Sequence, residues 1–217
     1  MPRMAEIRAS QLYRGIKAKL KKWGAYNKAY SGNVLWPLEL PQRKRTLNQV
    51  AITAAQLSAR GKILDIGTGP GYLPIDVANA CPNVQMVGID ISADLLYDGI
   101  TGAKNRQVGT RVTFVRAKAE FLPFADNSFE TVVSTFSLHL WNDRQQGLIE
   151  IRRVLMSRGR AMILVGRQRL VKGLAWITDF VTKKSIKDME ASCLNAGFKE
   201  VKIIEKSEGV LQILLMK

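Results

Sequence analysis

Lys62-Ile-Leu-Asp-Ile-Gly-Thr-Gly-Pro-Gly-Tyr-Leu-Pro-Ile-Asp76 decides how the chain is read. Ile63, Leu64 and Ile66 form a short apolar run of the kind buried in a parallel sheet, and a helical pattern resumes near Tyr72. Between them stand Gly67, Gly69 and Gly71, so the stretch predicts a strand, a tight turn and a helix. Without a Cβ, such a turn takes positive φ and lets a ligand approach the backbone closely. The helix that follows aims unpaired N–H groups and its positive dipole end at the same place. The expected occupant is anionic or carries a carboxylate.

The spacing is G-x-G-x-G, not the G-x-G-x-x-G of a dinucleotide fold, and Asp65 stands two residues before the first glycine. An acid at that strand tip would repel a pyrophosphate but suits a cationic amine or sulfonium. The motif resembles that of class I S-adenosylmethionine-dependent methyltransferases. The resemblance implies S-adenosyl-L-methionine as cofactor and S-adenosyl-L-homocysteine as product. It makes Asp65, Gly67, Thr68, Gly69, Gly71 and Tyr72 candidate cofactor-binding residues.

The chain has 217 residues and a formal net charge of +15, enough length for one domain with an appended segment. The charge is uneven: residues 1–60 hold twelve Lys or Arg against Glu6 and Glu39, a net of +10, and the rest of the chain holds +5. Either an anionic partner at the N-terminal region, such as a lipid surface, RNA or an acidic substrate, or a simply solvated surface accounts for this. No apolar run reaches the length of a membrane span, and no signal peptide is expected. Two distant cysteines, Cys81 and Cys193, both placed in expected helices, suggest reduced thiols in a cytoplasmic protein, peripheral to a membrane if the basic region docks there. A single histidine and no Cys/His cluster argue against a metal site.

Residues 5–24 read as a basic amphipathic helix, with Leu12, Ile16, Leu20 and Trp23 on one stripe. It is expected to be a lid, with a membrane contact as the alternative. Residues 25–42 read as a loop in which Tyr26, Tyr30 and Trp36 could wall a pocket, and 42–59 as a second helix. The division is therefore 1–42 as a basic helical lid or extension and 43–217 as the cofactor-binding domain. From Lys62 onward strands and helices alternate: strands at 62–66, 84–90, 112–116, 131–135 and 161–165, helices at 72–80, after Ser92, 143–156 and 185–196. Two last strands, 201–205 and 211–216, are close enough for a hairpin. The predicted fold is α/β: a Rossmann-like, seven-stranded, mostly parallel sheet with one antiparallel C-terminal strand, helices on both faces and an N-terminal helical extension.

Ligands of open α/β sheets sit beyond the carboxyl ends of the strands. There the second strand offers Asp90, about 20 residues past the glycines, whose two oxygens can accept both hydroxyls of a ribose, with Ile91 beside an adenine. The fourth strand ends at Ser134, a further candidate for the cofactor site.

Arg116-Ala-Lys-Ala-Glu-Phe-Leu-Pro-Phe-Ala-Asp-Asn-Ser-Phe-Glu130 extends the resemblance to the type 11 methyltransferase family, most of all its ubiquinone/menaquinone C-methyltransferase branch. Leu122, Pro123, Phe124, Asp126, Ser128, Phe129 and Glu130 match its pattern. Lys118 departs from it, standing where the family has an adenine-contacting Asp. Lysine donates only, so the Ala119 backbone or Glu120 become the candidates for that contact. After the fourth strand, His139 occupies a position where similar methyltransferases often carry a histidine. It is a candidate base if the acceptor must lose a proton, with packing or loop capping as the alternative. Phe136 and Trp141 are as readily core as pocket. Leu170, Leu174, Trp176, Ile177 and Phe180, near Arg167, Arg169 and Lys172, could cover a hydrophobic acceptor with an anionic group or form a buried helix.

The favoured expectation is methyl transfer by in-line displacement to a small, apolar or aromatic acceptor such as a quinone precursor. An RNA methyltransferase is the runner-up, though the fourth strand lacks the motif that holds a flipped base and no cysteine follows the fourth or fifth strand as a nucleophile. A cofactor-binding protein without catalysis is the third reading, and a dehydrogenase a distant fourth.

Overall fold

A computed structural model describes residues 61–166, 183–206 and 210–217. The expected helices at 5–24 and 42–59, the aromatic loop between them and the apolar segment at 170–180 lie outside these residues.

Seven strands form one sheet: β1 (Gly61–Ile66), β2 (Val84–Asp90), β3 (Val112–Arg116), β4 (Phe129–Thr135), β5 (Leu155–Gly166), β6 (Glu200–Lys206) and β7 (Val210–Met216). Their order is β3-β2-β1-β4-β5-β7-β6. The first five run parallel, while β7 lies antiparallel to both β5 and β6. The last two strands therefore do pair as a hairpin, and β7 is the antiparallel one. The chain builds outward from β1 to β3, then returns to place β4 against the other side of β1. That reversal leaves a crevice at the carboxyl ends of β1 and β4, the place where open α/β sheets bind ligands.

Successive side chains of a strand face opposite sides, and the sheet buries both. Leu64 and Ile66 join one core with Val132, Ile163 and Ile213 under helices α3 (Arg144–Val154) and α4 (Lys183–Asn195). Ile63 joins the other with Val133, Met162 and Leu164 under α1 (Tyr72–Ala80). Helix α2 (Ala93–Asn105) packs beside α1 on that second face. β1 is buried at its last four residues, which is why its sequence reads as a continuous apolar run interrupted only by Asp65.

Helix ends follow local chemistry. Ser92 caps α2 by accepting from Leu95 N, and Asp143 caps α3 by accepting from Gln146 N. Gly197, at φ +90°, closes α4: its N–H reaches the Leu194 carbonyl and that of Phe198 the Cys193 carbonyl, while Phe198 is buried.

The structure corrects three boundaries. α3 stops at Val154, not Met156, because β5 begins at Leu155 and pairs with Phe129 at the start of a longer β4. An irregularity between Phe129 and Thr131 in that pairing accommodates Arg158, at φ +63°, and Gly159, which lie inside the strand's span. Cys81 follows α1 instead of lying within it, whereas Cys193 is buried inside α4; both are free thiols.

Candidate functional site

The glycine turn hangs from β2. Gly67 N and Thr68 N both donate to the Ile89 carbonyl, at 2.9 and 2.8 Å, and Gly69 N donates to Asp90 Oδ2 at 2.9 Å. The other Asp90 oxygen accepts from Ser92 N at 2.9 Å. One carboxylate thus ties the turn after β1 to the start of α2.

The three glycines do different things, although all have positive φ. A Cβ on Gly71 would lie 2.5 Å from the Phe114 ring and 3.3 Å from Gly99, so this glycine packs α1 against α2 and β3. A Cβ on Gly67 would lie 2.3 Å from the side chain of Ser137. Around Gly69 nothing lies within 4 Å of that position. The middle glycine is therefore the one with open space above its backbone, and a ligand that approaches the turn has room there.

Asp65 lies under the turn and is fully buried. Its Oδ2 accepts from Thr68 Oγ1 at 2.7 Å, while Oδ1 has no hydrogen-bond partner. Burial, reinforced by the charge of Asp90 and opposed by the Thr68 hydroxyl, pushes its carboxyl up to about 7. A buried carboxyl with an idle oxygen costs stability unless something completes it, and an ammonium group would do so.

Ser134 is fully buried and shares a 2.7 Å hydrogen bond with Ser137, whose hydroxyl donates to the Ile66 carbonyl at 2.9 Å. Ser137 reaches that position because Phe136 turns the chain in the left-handed region, φ +56°, immediately after β4. Such a conformation is costly in a bulky residue and concentrates at functional turns. Ser137 is a residue that sequence reasoning missed; no motif marks it.

The structure brings Asp65, Gly67, Thr68, Gly69, Asp90 and Ser134 into one hydrogen-bonded cluster. Tyr72, at the start of α1, is 55% exposed, and Ile91 is also exposed. Ala117 N donates to the Asp90 carbonyl at 3.1 Å, which brings the following Lys118, itself exposed, and Ala119, buried, alongside the Asp90 end of the crevice. Glu120 turns away. Its Oε1 accepts from Asn142 N at 2.7 Å and Asp143 N at 3.2 Å, so it is committed to the loop before α3. His139 is half-buried in the 3-10 turn Leu138–Leu140.

The Leu122-to-Asp126 stretch has a structural purpose that its sequence does not reveal. Glu150 on α3 accepts from Leu122 N at 2.8 Å and pairs with Arg153, which donates to the Phe124 and Leu122 carbonyls and to Asp126 Oδ1. The Arg153 hydrogen bonds hold Glu150 below the usual carboxylate range, and the two acids raise Arg153. Trp141 is core: a Cβ on Gly147 would lie 2.5 Å from its ring.

Residues 63–159 match the family model described as a methyltransferase domain. That match spans less than half of the chain, and over it the chain resembles a methyltransferase domain. The likeness implies S-adenosylmethionine as cofactor, with S-adenosylhomocysteine the form left after transfer. A ubiquinone/menaquinone biosynthesis C-methyltransferase of Geotalea uraniireducens is 33% identical over 121 residues, covering 55% of this chain and 52% of that protein. The chain thus matches only about half the length of that relative. Among solved structures, a [4+2]-cyclase, SpnF, superposes with a TM-score of 0.68 at 18% identity, over 81% of this chain and 82% of that one. A methyltransferase of Aquifex aeolicus gives 0.63 at 17%, over 82% and 94%. At such identities the structural likenesses speak for the fold alone.

The donor set fits the cofactor. Open backbone at Gly69 and the idle Asp65 oxygen suit an amino-acid group, and Asp90 supplies oxygen acceptors. Among the described residues no group of His, Cys, Asp and Glu could hold a metal ion, and no helix is long and apolar enough to cross a membrane.

Proposed function

We propose that the protein transfers a methyl group from S-adenosylmethionine to a small, apolar acceptor at carbon or oxygen. The observation that carries this reading is the buried Asp65, bonded through Oδ2 to Thr68 of the glycine turn, with an unpartnered Oδ1. In it, Asp65 pairs with the cofactor's ammonium, the Gly67–Gly69 backbone lies along its amino-acid half, and Asp90 accepts from the ribose hydroxyls. Ile91 and the backbone of Ala119 flank the adenine, with Lys118 at its solvent edge. The cofactor supplies a methyl group activated by a sulfonium, so the chain's part is to position and to exclude water. In this reading His139, in the turn after β4, takes the proton of a hydroxyl acceptor. The acceptor class follows the relatives, which are ubiquinone/menaquinone biosynthesis C-methyltransferases.

A second reading, cofactor binding without methyl transfer, draws on the likeness to a cyclase: the same fold hosts chemistry other than methyl transfer. Incubation with methyl-tritiated S-adenosylmethionine and cell extract, separated into lipid, RNA and aqueous fractions, decides between them. Label in lipid or in small aqueous molecules is expected. Label in RNA overturns the acceptor class, and S-adenosylhomocysteine binding with no label anywhere favours the second reading.

A further inference from the structure

Ser137 stands at the N-cap position of the 3-10 turn Leu138–Leu140, yet its hydroxyl makes no capping bond to that turn. A serine so placed ordinarily accepts from a backbone N–H of its own helix. Here the turn closes through the backbone instead, with Leu140 N donating to the Ser137 carbonyl at 2.8 Å. The side chain is directed 71 residues back along the chain, where it donates to the Ile66 carbonyl at 2.9 Å. A hydroxyl has one proton to give, so in the 2.7 Å contact with Ser134 it is Ser134 that donates, and the direction of the Ser137 hydroxyl is fixed. A local bond has been forgone for a long-range one, the kind of departure that marks functional positions.

The Ile66–Gly67 peptide is the first unit of the glycine turn, and it is held at both ends. Its N–H donates to the Ile89 carbonyl of β2, and its C=O accepts from Ser137. The Ser137 side chain also occupies the space that a Cβ on Gly67 would need. Side chains alternate along a strand, so Asp65 faces the α1 side with Ile63, while Ser134 faces the α3 side with Val132. The glycine turn is thus gripped from both faces of the sheet, by Asp65 through Thr68 and by Ser137 through Ile66. Beyond Ser137 the chain has a second side. There Leu138 and His139 line a mostly apolar cavity of about 200 Å³ between α3, α4 and the β5-β7-β6 part of the sheet. Phe136, whose N–H donates to the Leu164 carbonyl, fastens the start of the turn to β5.

We infer that Ser137 is a positioning residue: its hydroxyl sets the Ile66–Gly67 peptide for the cofactor and couples the glycine turn to His139. The inference rests on reading the glycine turn as the cofactor's cradle. The chain has one histidine, so a single imidazole C2–H signal in NMR reports on the Leu138–Leu140 turn. At fixed pH, S-adenosylhomocysteine is expected to move that signal in the full chain. Ser137→Ala, which removes the hydroxyl and keeps the Cβ, should weaken S-adenosylhomocysteine binding about tenfold and, at saturation, remove most of the movement. Ser137→Thr keeps a hydroxyl and should restore both. Ser137→Cys fills the same space with a weak donor and should behave as the alanine variant does. Glu150→Ala, which lowers stability away from the turn, should change neither readout, so lost stability alone does not imitate the effect. Wild-type affinity in Ser137→Ala, an undiminished His139 movement, or full rescue by cysteine would each overturn the inference. Failure of the wild-type chain to bind S-adenosylhomocysteine would instead overturn the cofactor reading. Gly69→Ala then tests the coupling without ligand, since its Cβ meets no neighbour and any change reaches His139 through the turn. A shifted His139 signal that Ser137→Ala abolishes upholds the coupling, and an unmoved signal overturns it.

Discussion

The two sides of the Ser137–Leu140 turn are built differently. On the cofactor side a few backbone segments are fastened to one another by short polar contacts: the turn after β1, the end of β2 and the turn after β4 share Asp90, Asp65, Ser134 and Ser137. On the cavity side, side chains from α3, α4, β5, β6 and β7 line a mostly apolar wall that also carries His139, Arg144, Asp188 and Ser192. The first kind of site fixes a ligand's backbone-like atoms and suits a constant cofactor. The second is set by side-chain identity, so it is where specificity can vary without disturbing the fold.

The comparison is broken most severely at Gly71. Gly71→Ala places a Cβ 2.5 Å from Phe114 at a left-handed φ, and strain together with overpacking should cost about 3 kcal/mol or more of fold stability. Gly69→Ala meets no neighbour, so it should lose only about 1 kcal/mol through its φ while weakening S-adenosylhomocysteine binding sharply. Thermal melts and calorimetry on the pair separate a packing glycine from a ligand glycine; equal effects of the two on Tm would refute the distinction.

Asp90→Ala should lower S-adenosylhomocysteine affinity on the order of 100-fold, since it removes charged acceptors from the ribose and frees the Gly69 and Ser92 N–H groups at once. A smaller effect follows from Glu150→Ala, which strips Leu122 N and Arg153 of a shared partner and should cost about 2 kcal/mol of stability. Its melting temperature should fall by several degrees with cofactor affinity preserved, because Glu150 braces the Leu122-to-Asp126 stretch without forming part of the glycine turn.

What could be read ahead of the structure follows the same division. Asp65 to Gly71 and Asp90 to Ser92 are contiguous in sequence, so the glycine turn, the acid after β2 and the Ser92 cap were legible from spacing. The strand-helix alternation was legible too, because strands buried on both faces read as apolar runs. Glu120 was misjudged as a possible adenine contact because its partners, Asn142 and Asp143, are more than twenty residues away. The Leu122-Pro-Phe pattern was recognised as a resemblance, while its cause, the Glu150–Arg153 brace, lies on another helix.

The finest probe of the comparison is pH, because only the cofactor side holds a carboxyl shifted into the neutral range. Asp65 ionises near 3.8 when free and about 7 in the fold, so between those values the folded chain keeps a proton that the unfolded chain has lost. Its contribution to stability is therefore present in full below about pH 4 and declines as pH rises to about 7. The melting temperature of the wild type relative to Asp65→Asn should fall between pH 5 and pH 7 and then level. An ammonium-bearing ligand reverses the preference and favours the ionised carboxyl. Binding of S-adenosylhomocysteine at pH 6 should then release close to one proton, with affinity dropping by up to about tenfold per pH unit below 7. Calorimetry in buffers of different ionisation heat reads that proton directly. The release should vanish in Asp65→Asn; proton release that survives the substitution would place the titrating group elsewhere.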